Sequence, residues 1–311
     1  MLLWSVFSQI LLPILVLVGC GWLIDKCFRL DLGGLVKLNI YLFVPAFIFH
    51  EVVLSSLGAQ FALRVMLFTG CVLLGMFLLS ALIGRLRGYE HPQTRALQLA
   101  TMFYNSGNFG VPLMALAFPQ TGPLLQVFVM LTQNISTFTI GLFLASSAQN
   151  TGWRALLPIT RQVSLWAVFS ALIVRWFELP VTQWRWLWVP VEYLHRGLVG
   201  LALVTLGIQL SKTRVRQSVG PISWALTIRL IAGPLLAAGL CWKFGFTGEQ
   251  AAVLVVSASF PTAINTALLA HEFNADAHFA ASSVFYSTLA SMISVTALIA
   301  LLRNPSILAL F

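Results

Sequence analysis

The chain has 311 residues, of which 59% are hydrophobic and only 9% charged, with a formal net charge of +9. A soluble domain carries about 25% charged residues, so this composition excludes a soluble protein and indicates an all-α polytopic membrane protein. The basic residues lie in short loops between apolar runs, a pattern explained by membrane orientation, and nucleic acid is not an expected partner.

A helix rising ~1.5 Å per residue crosses the ~30 Å hydrocarbon core in roughly 20 residues. By that criterion the apolar runs predict about ten spans, near residues 4–24, 34–54, 61–83, 95–118, 122–146, 162–178, 188–210, 221–243, 250–272 and 279–302. In the first, Leu17-Val18-Gly19-Cys20 resembles a lipoprotein cleavage box. The first twenty residues contain no Lys or Arg, and the apolar run continues through Trp22-Leu23-Ile24, so an uncleaved span is expected. The fourth is interrupted by Asn105-Ser106-Gly107-Asn108-Phe109-Gly110-Val111-Pro112. Asn105 lies ten residues past Arg95, about 15 Å deep. Irregular backbone is tolerated there only where it is buried in protein or lines a cavity. The fifth span is rich in small polar residues, among them Thr132, Gln133, Asn134, Ser136 and Thr137. Arg175 and Glu178 cut the sixth short, and Trp176, Trp184, Trp186 and Trp188 form an interfacial belt around its exit. The eighth carries Arg229, and the ninth breaks at Ser259-Phe260-Pro261-Thr262-Ala263-Ile264-Asn265. The tenth is again rich in Ser and Thr, including Ser287.

The loops after spans one, three, five and seven hold Lys26, Arg29, Lys37, Arg85, Arg87, Arg95, Arg154, Arg161, Lys212, Arg214 and Arg216. The other side holds only Arg64, Arg175, Arg185, Arg196, Lys243 and Arg303. The bias places the first set in the cytoplasm and both termini outside, in the inner (plasma) membrane. The two breaks fall at corresponding places in two halves. Residues 1–148 form a first five-span repeat, 149–161 a cytoplasmic linker and 162–311 a second repeat. Five is odd, so the second copy is inverted and the broken spans four and nine cross near the midplane.

Breaking a helix leaves N–H groups of the new N-terminus unpaired, which suits a carboxylate. Asn105, Asn108, Gly110, Pro112, Pro261 and Asn265 are therefore the expected substrate site, the prolines keeping the breaks open. The plainer alternative is that the asparagines only join helices. For Arg229 two readings stand: a cation in the inner vestibule that attracts an anion, or a side chain reaching back to the interface. Thr132, Asn134, Gln209 and Ser287 could bind a coupling ion through neutral oxygens. No Asp or Glu falls at a predicted midplane, which argues against the alternative of a sodium/proton exchanger on a related crossed-helix fold. No nucleophile–base pair, metal-ligand spacing or phosphate-binding loop is readable. The expectation is no enzyme, no metal and no cofactor, with sodium or proton coupling open. The expected partners are a small organic anion and the lipid bilayer, with homodimerisation open.

Six stretches in order carry a family resemblance: residues 37–49 around Pro45, Asn105 to Leu113, Leu206-Gly207-Ile208-Gln209-Leu210, Arg229 to Leu235, Pro261 to Asn265, and Ser287-Thr288-Leu289-Ala290-Ser291. Together they resemble the auxin efflux carrier family, within the bile acid, arsenite and riboflavin transporter superfamily. The resemblance covers essentially the whole chain. It implies the panel-and-core fold shared with sodium/bile-acid symporters, alternating access and organic anion substrates. Plant members carry a long hydrophilic loop between the halves. The short linker here resembles a bacterial member, for which a small carboxylate such as malate or malonate is at least as good a candidate as auxin. The coupling ion does not follow from the resemblance.

Overall fold

The computed structural model describes residues 2–55, 58–146, 163–213, 219–272 and 276–308. The expected linker 149–161, with Arg154 and Arg161, lies outside the described residues, as do Arg214 and Arg216. Among the described residues every regular element is a helix, and seven helices are long and apolar enough to cross a membrane. This is a multi-pass membrane protein.

In chain order the elements are α1 (Trp4–Phe28), α2 (Leu32–Leu54), α3 (Gln60–Leu86), α4 (His91–Met102), α5 (Val111–Ala117), α6 (Gly122–Ala145), α7 (Val163–Trp176), α8 (Arg185–Lys212), α9 (Gly220–Phe244), α10 (Gly248–Ser257), α11 (Ile264–Glu272) and α12 (His278–Leu302). Several ends differ from the sequence expectation. α1 runs on to Phe28, carrying Asp25 and Lys26 inside the helix, and ends where Arg29 turns left-handed at φ 50°. There Asp25 pairs with Lys212 of α8 at 2.9 Å, which anchors the charge that composition alone assigned to a loop. α2 starts early because Asp31 accepts from the backbone N–H of Gly33 and Gly34, a side-chain N-cap. α7 has 14 residues, about 21 Å of helix, shorter than the core thickness.

Four of the prolines follow one local rule. Pro13, Pro45, Pro112 and Pro234 each sit two residues after a five-residue π-helical turn, at Phe7–Leu11, Asn39–Phe43, Ser106–Gly110 and Ile228–Ala232. A proline within a helix lacks an N–H and its ring collides with the carbonyl one turn back. The wider i→i+5 turn moves that carbonyl aside. The helix continues through each of these prolines unbroken.

The helices pack as two groups. α1 lies along α8, and α2 packs against α7 and α8. In the other group α3 packs on α4, α6 and α9, while α9 packs on α10 and α12. α1 and α8 approach at backbone contact: a Cβ on Gly21 would lie 2.1 Å from the Val204 carbonyl oxygen, and one on Gly207 would lie 2.0 Å from that of Val18. Small residues at such crossings let backbones approach closely where no hydrophobic force between helices exists. Outward faces are apolar. Leu63, Leu67, Leu74, Leu78 and Leu82 all project from α3 at helical spacing, each more than half exposed, as a lipid-facing surface requires.

Candidate functional site

The two interrupted segments meet. α4 ends at Met102, Phe103 and Tyr104 are extended, and the chain turns helical again at Ser106–Gly110 and α5. α10 ends at Ser257, and α11 resumes at Ile264. Between these ends Tyr104 and Thr262 form an antiparallel β-bridge. The Asn105 N–H donates to the Pro261 carbonyl at 2.8 Å, and the Ala263 N–H donates to the Phe103 carbonyl at 3.0 Å. Thr262 is tied further: its N–H donates to Ser287 Oγ at 3.0 Å and its hydroxyl to the Ala100 carbonyl at 2.8 Å. Each broken stretch thus satisfies the other's peptide groups, which buried backbone demands in lipid.

The crossing has two electrical sides. The C-terminal ends of α4 and α10 carry unpaired carbonyls and the negative ends of their dipoles. Arg229, from the π-helical turn inside α9, is fully buried against them. Its guanidinium donates to the Thr101 carbonyl at 2.5 Å and to the Ala258 carbonyl. On the opposite side lie the N-terminal ends of the resumed helices. The Asn105 side-chain oxygen caps the first, accepting from the Phe109 N–H at 3.4 Å. Gln126 fixes the start of that turn by donating to the Ser106 carbonyl at 2.7 Å, and is itself held by the Ser257 hydroxyl at 2.8 Å.

A cavity of ≈ 370 Å³ opens at these N-terminal ends, within the usual range of small-molecule sites. Ser106, Gly107 and Asn108 line it from one broken helix, and Ala263, Ile264 and Asn265 from the other. Its polar groups are mostly carboxamides: Asn39, Asn105, Asn108, Gln133, Asn134, Gln209 and Asn265. Among the described residues no Asp, Glu, Lys or Arg lines it. Asn39 Nδ2 donates to Asn108 Oδ1 at 2.8 Å, joining α2 to the crossing. Asn39 Oδ1, Asn105 Nδ2 and Gln209 Oε1 are buried without a hydrogen-bond partner within the protein. Both donors and acceptors are thus left for a ligand or water.

The expected site residues divide accordingly. Asn105, Asn108, Asn265, Asn134 and Gln209 line the cavity. Gly110, Pro112 and Pro261 do not line it; they belong to the chain segments of the crossing around it. A Cβ on Gly110 would lie 2.5 Å from the Phe260 ring, Pro112 sits in the first turn of α5, and the Pro261 carbonyl is an acceptor of the crossing. The true interruption is therefore shorter than the run of amides, glycines and proline suggested, because residues 106–112 are already helical. Thr132 and Ser287 also stand outside the cavity. The Thr132 hydroxyl donates to the Phe128 carbonyl, and Ser287 holds Thr262. The four residues expected for a coupling ion are not gathered at one point of this cavity. Arg229 departs from both of its readings: it does not line the cavity, and two backbone carbonyls at the C-terminal ends of α4 and α10 hold its guanidinium behind the crossing. Asn39, Tyr104 and Ser164 line the cavity without having been singled out, as do Gln133 and Thr137, noted only as polar residues of the fifth span. The signal for Asn39 was a lone amide within the apolar run ahead of Pro45.

Comparison with known proteins agrees with this architecture. A sequence profile for a family described as "membrane transport protein" matches residues 6–152 and 164–299. A protein of Methanothermobacter thermautotrophicus described as an uncharacterized transporter is 28% identical, over 93% of this chain and 96% of its own. A Methanocaldococcus jannaschii protein, also described as an uncharacterized transporter, is 25% identical over 92% and 96%. A Rhizobium meliloti protein named "Putative malonate transporter" is 22% identical over 96% and 97%. The names of the family and of these relatives point to transport rather than catalysis. The profile runs through both broken helices and covers most of the chain, and the chain belongs to this membrane transport family, that of the auxin efflux carriers.

Proposed function

We propose that the protein is a secondary transporter that carries a small organic anion, a carboxylate, across the inner membrane by alternating access. The observation that carries this reading is the cavity at the crossing, where two helix N-termini converge among neutral carboxamides. Unpaired N–H groups and the positive dipole ends favour an anion. With Arg229 engaged by the C-terminal ends, the N-terminal ends supply the attraction without a fixed cation. A site of that kind binds a carboxylate weakly enough to release it. The want of a lining carboxylate among the described residues supports an anion carrier over a sodium/proton exchanger.

On this reading the chain crosses the membrane ten times, as two inverted five-span halves, 1–148 and 162–311. The broken helices are the fourth and ninth crossings, and α7 is a short sixth. Support comes from the pairing of helices. Exchanging each span for its counterpart five later leaves the main pairs unchanged: α1 with α8 becomes α7 with α2, and α3 with α4 becomes α9 with α10. α1, α2, α7 and α8 are then the panel and the remaining helices the core. Cavity residues of α2 and α8, such as Asn39 and Gln209, come from the ends that carry Lys37 and Lys212. With both termini outside, that end is cytoplasmic and this conformation is inward-facing.

Malonate is the first substrate to test, given the name of the Rhizobium meliloti relative. The experiment is binding and proteoliposome exchange of labelled malonate and malate, with sodium or potassium in the buffer. Saturable exchange competed by one small carboxylate is expected. Absence of binding and exchange for mono- and dicarboxylates alike would overturn the reading.

A further inference from the structure

At the other end of α2 and α8, away from the lysines, three side chains converge. Glu51 lies within the last turn of α2, and His195 is ten residues into α8. His195 Nε2 lies 2.8 Å from Glu51 Oε1, and His50 Nδ1 lies 3.4 Å from the same oxygen. One ligand atom from each of the three falls within 4.8 Å of the others. All three side chains are largely shielded, at 14% exposure for His50, 16% for Glu51 and 22% for His195. Neighbouring positions on a helix do not face each other, so His50 and Glu51 share a target only because α8 brings His195 against both.

The rings are held. Phe47, His195, His50 and Trp188 form one continuous stack, with the two imidazoles 3.9 Å apart at 25°. The Glu51–His195 contact alone explains neither the stack nor His50. His50 Nδ1 is buried and makes no hydrogen bond of good geometry, its Glu51 neighbour standing off at 3.4 Å, which is costly in an apolar surrounding. Stacked imidazoles at this separation repel if both are protonated, and one carboxylate balances one charge. A single cation shared by all three groups satisfies the orphaned nitrogen and the carboxylate together.

We propose that His50, Glu51 and His195 form a binding site for a divalent first-row transition metal, with zinc the best chemical match, that clamps α2 to α8. Zinc takes imidazole nitrogen at about 2.0–2.1 Å and carboxylate oxygen at about 2.0–2.2 Å in tetrahedral geometry. That sets ligand atoms about 3.3 Å apart. The His50–Glu51 spacing of 3.4 Å already matches, the His195–Glu51 contact of 2.8 Å has to lengthen, and the stacked imidazoles have to open so that both ring nitrogens meet the ion. Two nitrogens and one oxygen do not suit calcium or magnesium, which take all-oxygen shells. Three protein ligands leave a fourth position for water. The site is separate from the cavity at the crossing, yet both α2 and α8 line that cavity, so the clamp fixes one wall of it.

The test uses purified full-length protein without a polyhistidine tag, with Cys20, Cys27 and Cys71 replaced by serine because all three are exposed. Cobalt(II) titration should give one equivalent with the visible absorption of tetrahedral coordination, displaced by zinc and not by magnesium. Zinc should raise the thermal unfolding temperature. Altering a partner one shell further out typically costs 10–100-fold in metal affinity, so Glu51→Gln and His195→Ala should each weaken binding by at least about 10-fold. His195→Gln keeps a polar side chain and serves where the alanine variant folds poorly. No tetrahedral cobalt band in the parent, or equal metal affinity in parent, Glu51→Gln and His195→Gln, would overturn the site and leave a Glu–His hydrogen bond only.

Discussion

The guanidinium carbon of Arg229 lies 4.7 Å from the centroid of the Tyr104 ring. The cation is thereby placed where the chain of the first broken helix turns extended, and its two terminal nitrogens reach carbonyls at the C-terminal ends of α4 and α10, those of Thr101 and Ala258. Arg229 is thus a bridge between the two broken helices. Its planar fork grips two acceptors at once, which an ammonium on a flexible stem does not reproduce. Leaving a buried acceptor unsatisfied costs about 1–3 kcal/mol. Arg229→Gln and Arg229→Lys should both lower the thermal unfolding temperature in detergent, glutamine the more. A variant that unfolds like the parent but binds carboxylates less tightly would return Arg229 to the substrate path.

The α1–α8 contact makes a sharper stability prediction. A Cβ on Gly207 meets backbone atoms of α1 at 2.0 and 2.8 Å, and backbone cannot rotate away as a side chain does. Gly207→Ala should force the helices apart and destabilise by about 1–3 kcal/mol or more. Gly200, on the same helix, has no atom within 4 Å of its hypothetical Cβ. Gly200→Ala should be neutral or slightly stabilising, since alanine is the better helix former. Equal unfolding temperatures for the two variants would contradict the close crossing.

The crossing itself was legible in the sequence. Amides, glycines and a proline inside an apolar run have few uses in a membrane other than irregular backbone around a cavity, and Asn105 and Asn265 do line one. What stayed hidden depended on contacts between distant residues. The role of Arg229, with a vestibule cation and a side chain reaching back to the interface both open, stayed hidden because its acceptors are peptide carbonyls, which no residue type announces. Asn39 was passed over because its partner Asn108 lies 69 positions away. Pro112 looked like a helix breaker because the π-helical turn that accommodates it has no strong sequence signature. The cluster at His50 and His195 left no pattern in the sequence, since 144 residues separate Glu51 from His195.

Topology can be checked independently of transport. The excess of Lys and Arg in the odd-numbered loops predicts that positions 90 and 214 face the cytoplasm. With the exposed native cysteines removed, single cysteines at these positions should resist a membrane-impermeant thiol reagent in intact cells. They should react once the membrane is permeabilised. Labelling of either position in intact cells would invert the orientation and make this conformation outward-facing.

Asn105 separates binding from folding most cleanly. Its side-chain oxygen caps the resumed helix by accepting from the Phe109 N–H, while its Nδ2 has no partner within the protein and the residue lines the cavity. Asn105→Ala removes both functions, with a capping loss of about 0.5–2 kcal/mol. Asn105→Asp keeps the cap, because aspartate and asparagine are comparable N-caps, and replaces the free donor with a negative charge beside two helix N-termini. That charge occupies the attraction meant for the substrate and repels an incoming carboxylate. Asn105→Asp should therefore unfold at about the parent temperature while carboxylate affinity falls at least about 10-fold, the size of effect that 1.4 kcal/mol produces. Asn265→Ala, at the start of the second resumed helix, should also lose transport while remaining folded. The measurements are thermal unfolding and proteoliposome exchange on the same preparations. An aspartate variant that exchanges carboxylates as fast as the parent would move the anion site away from the crossing.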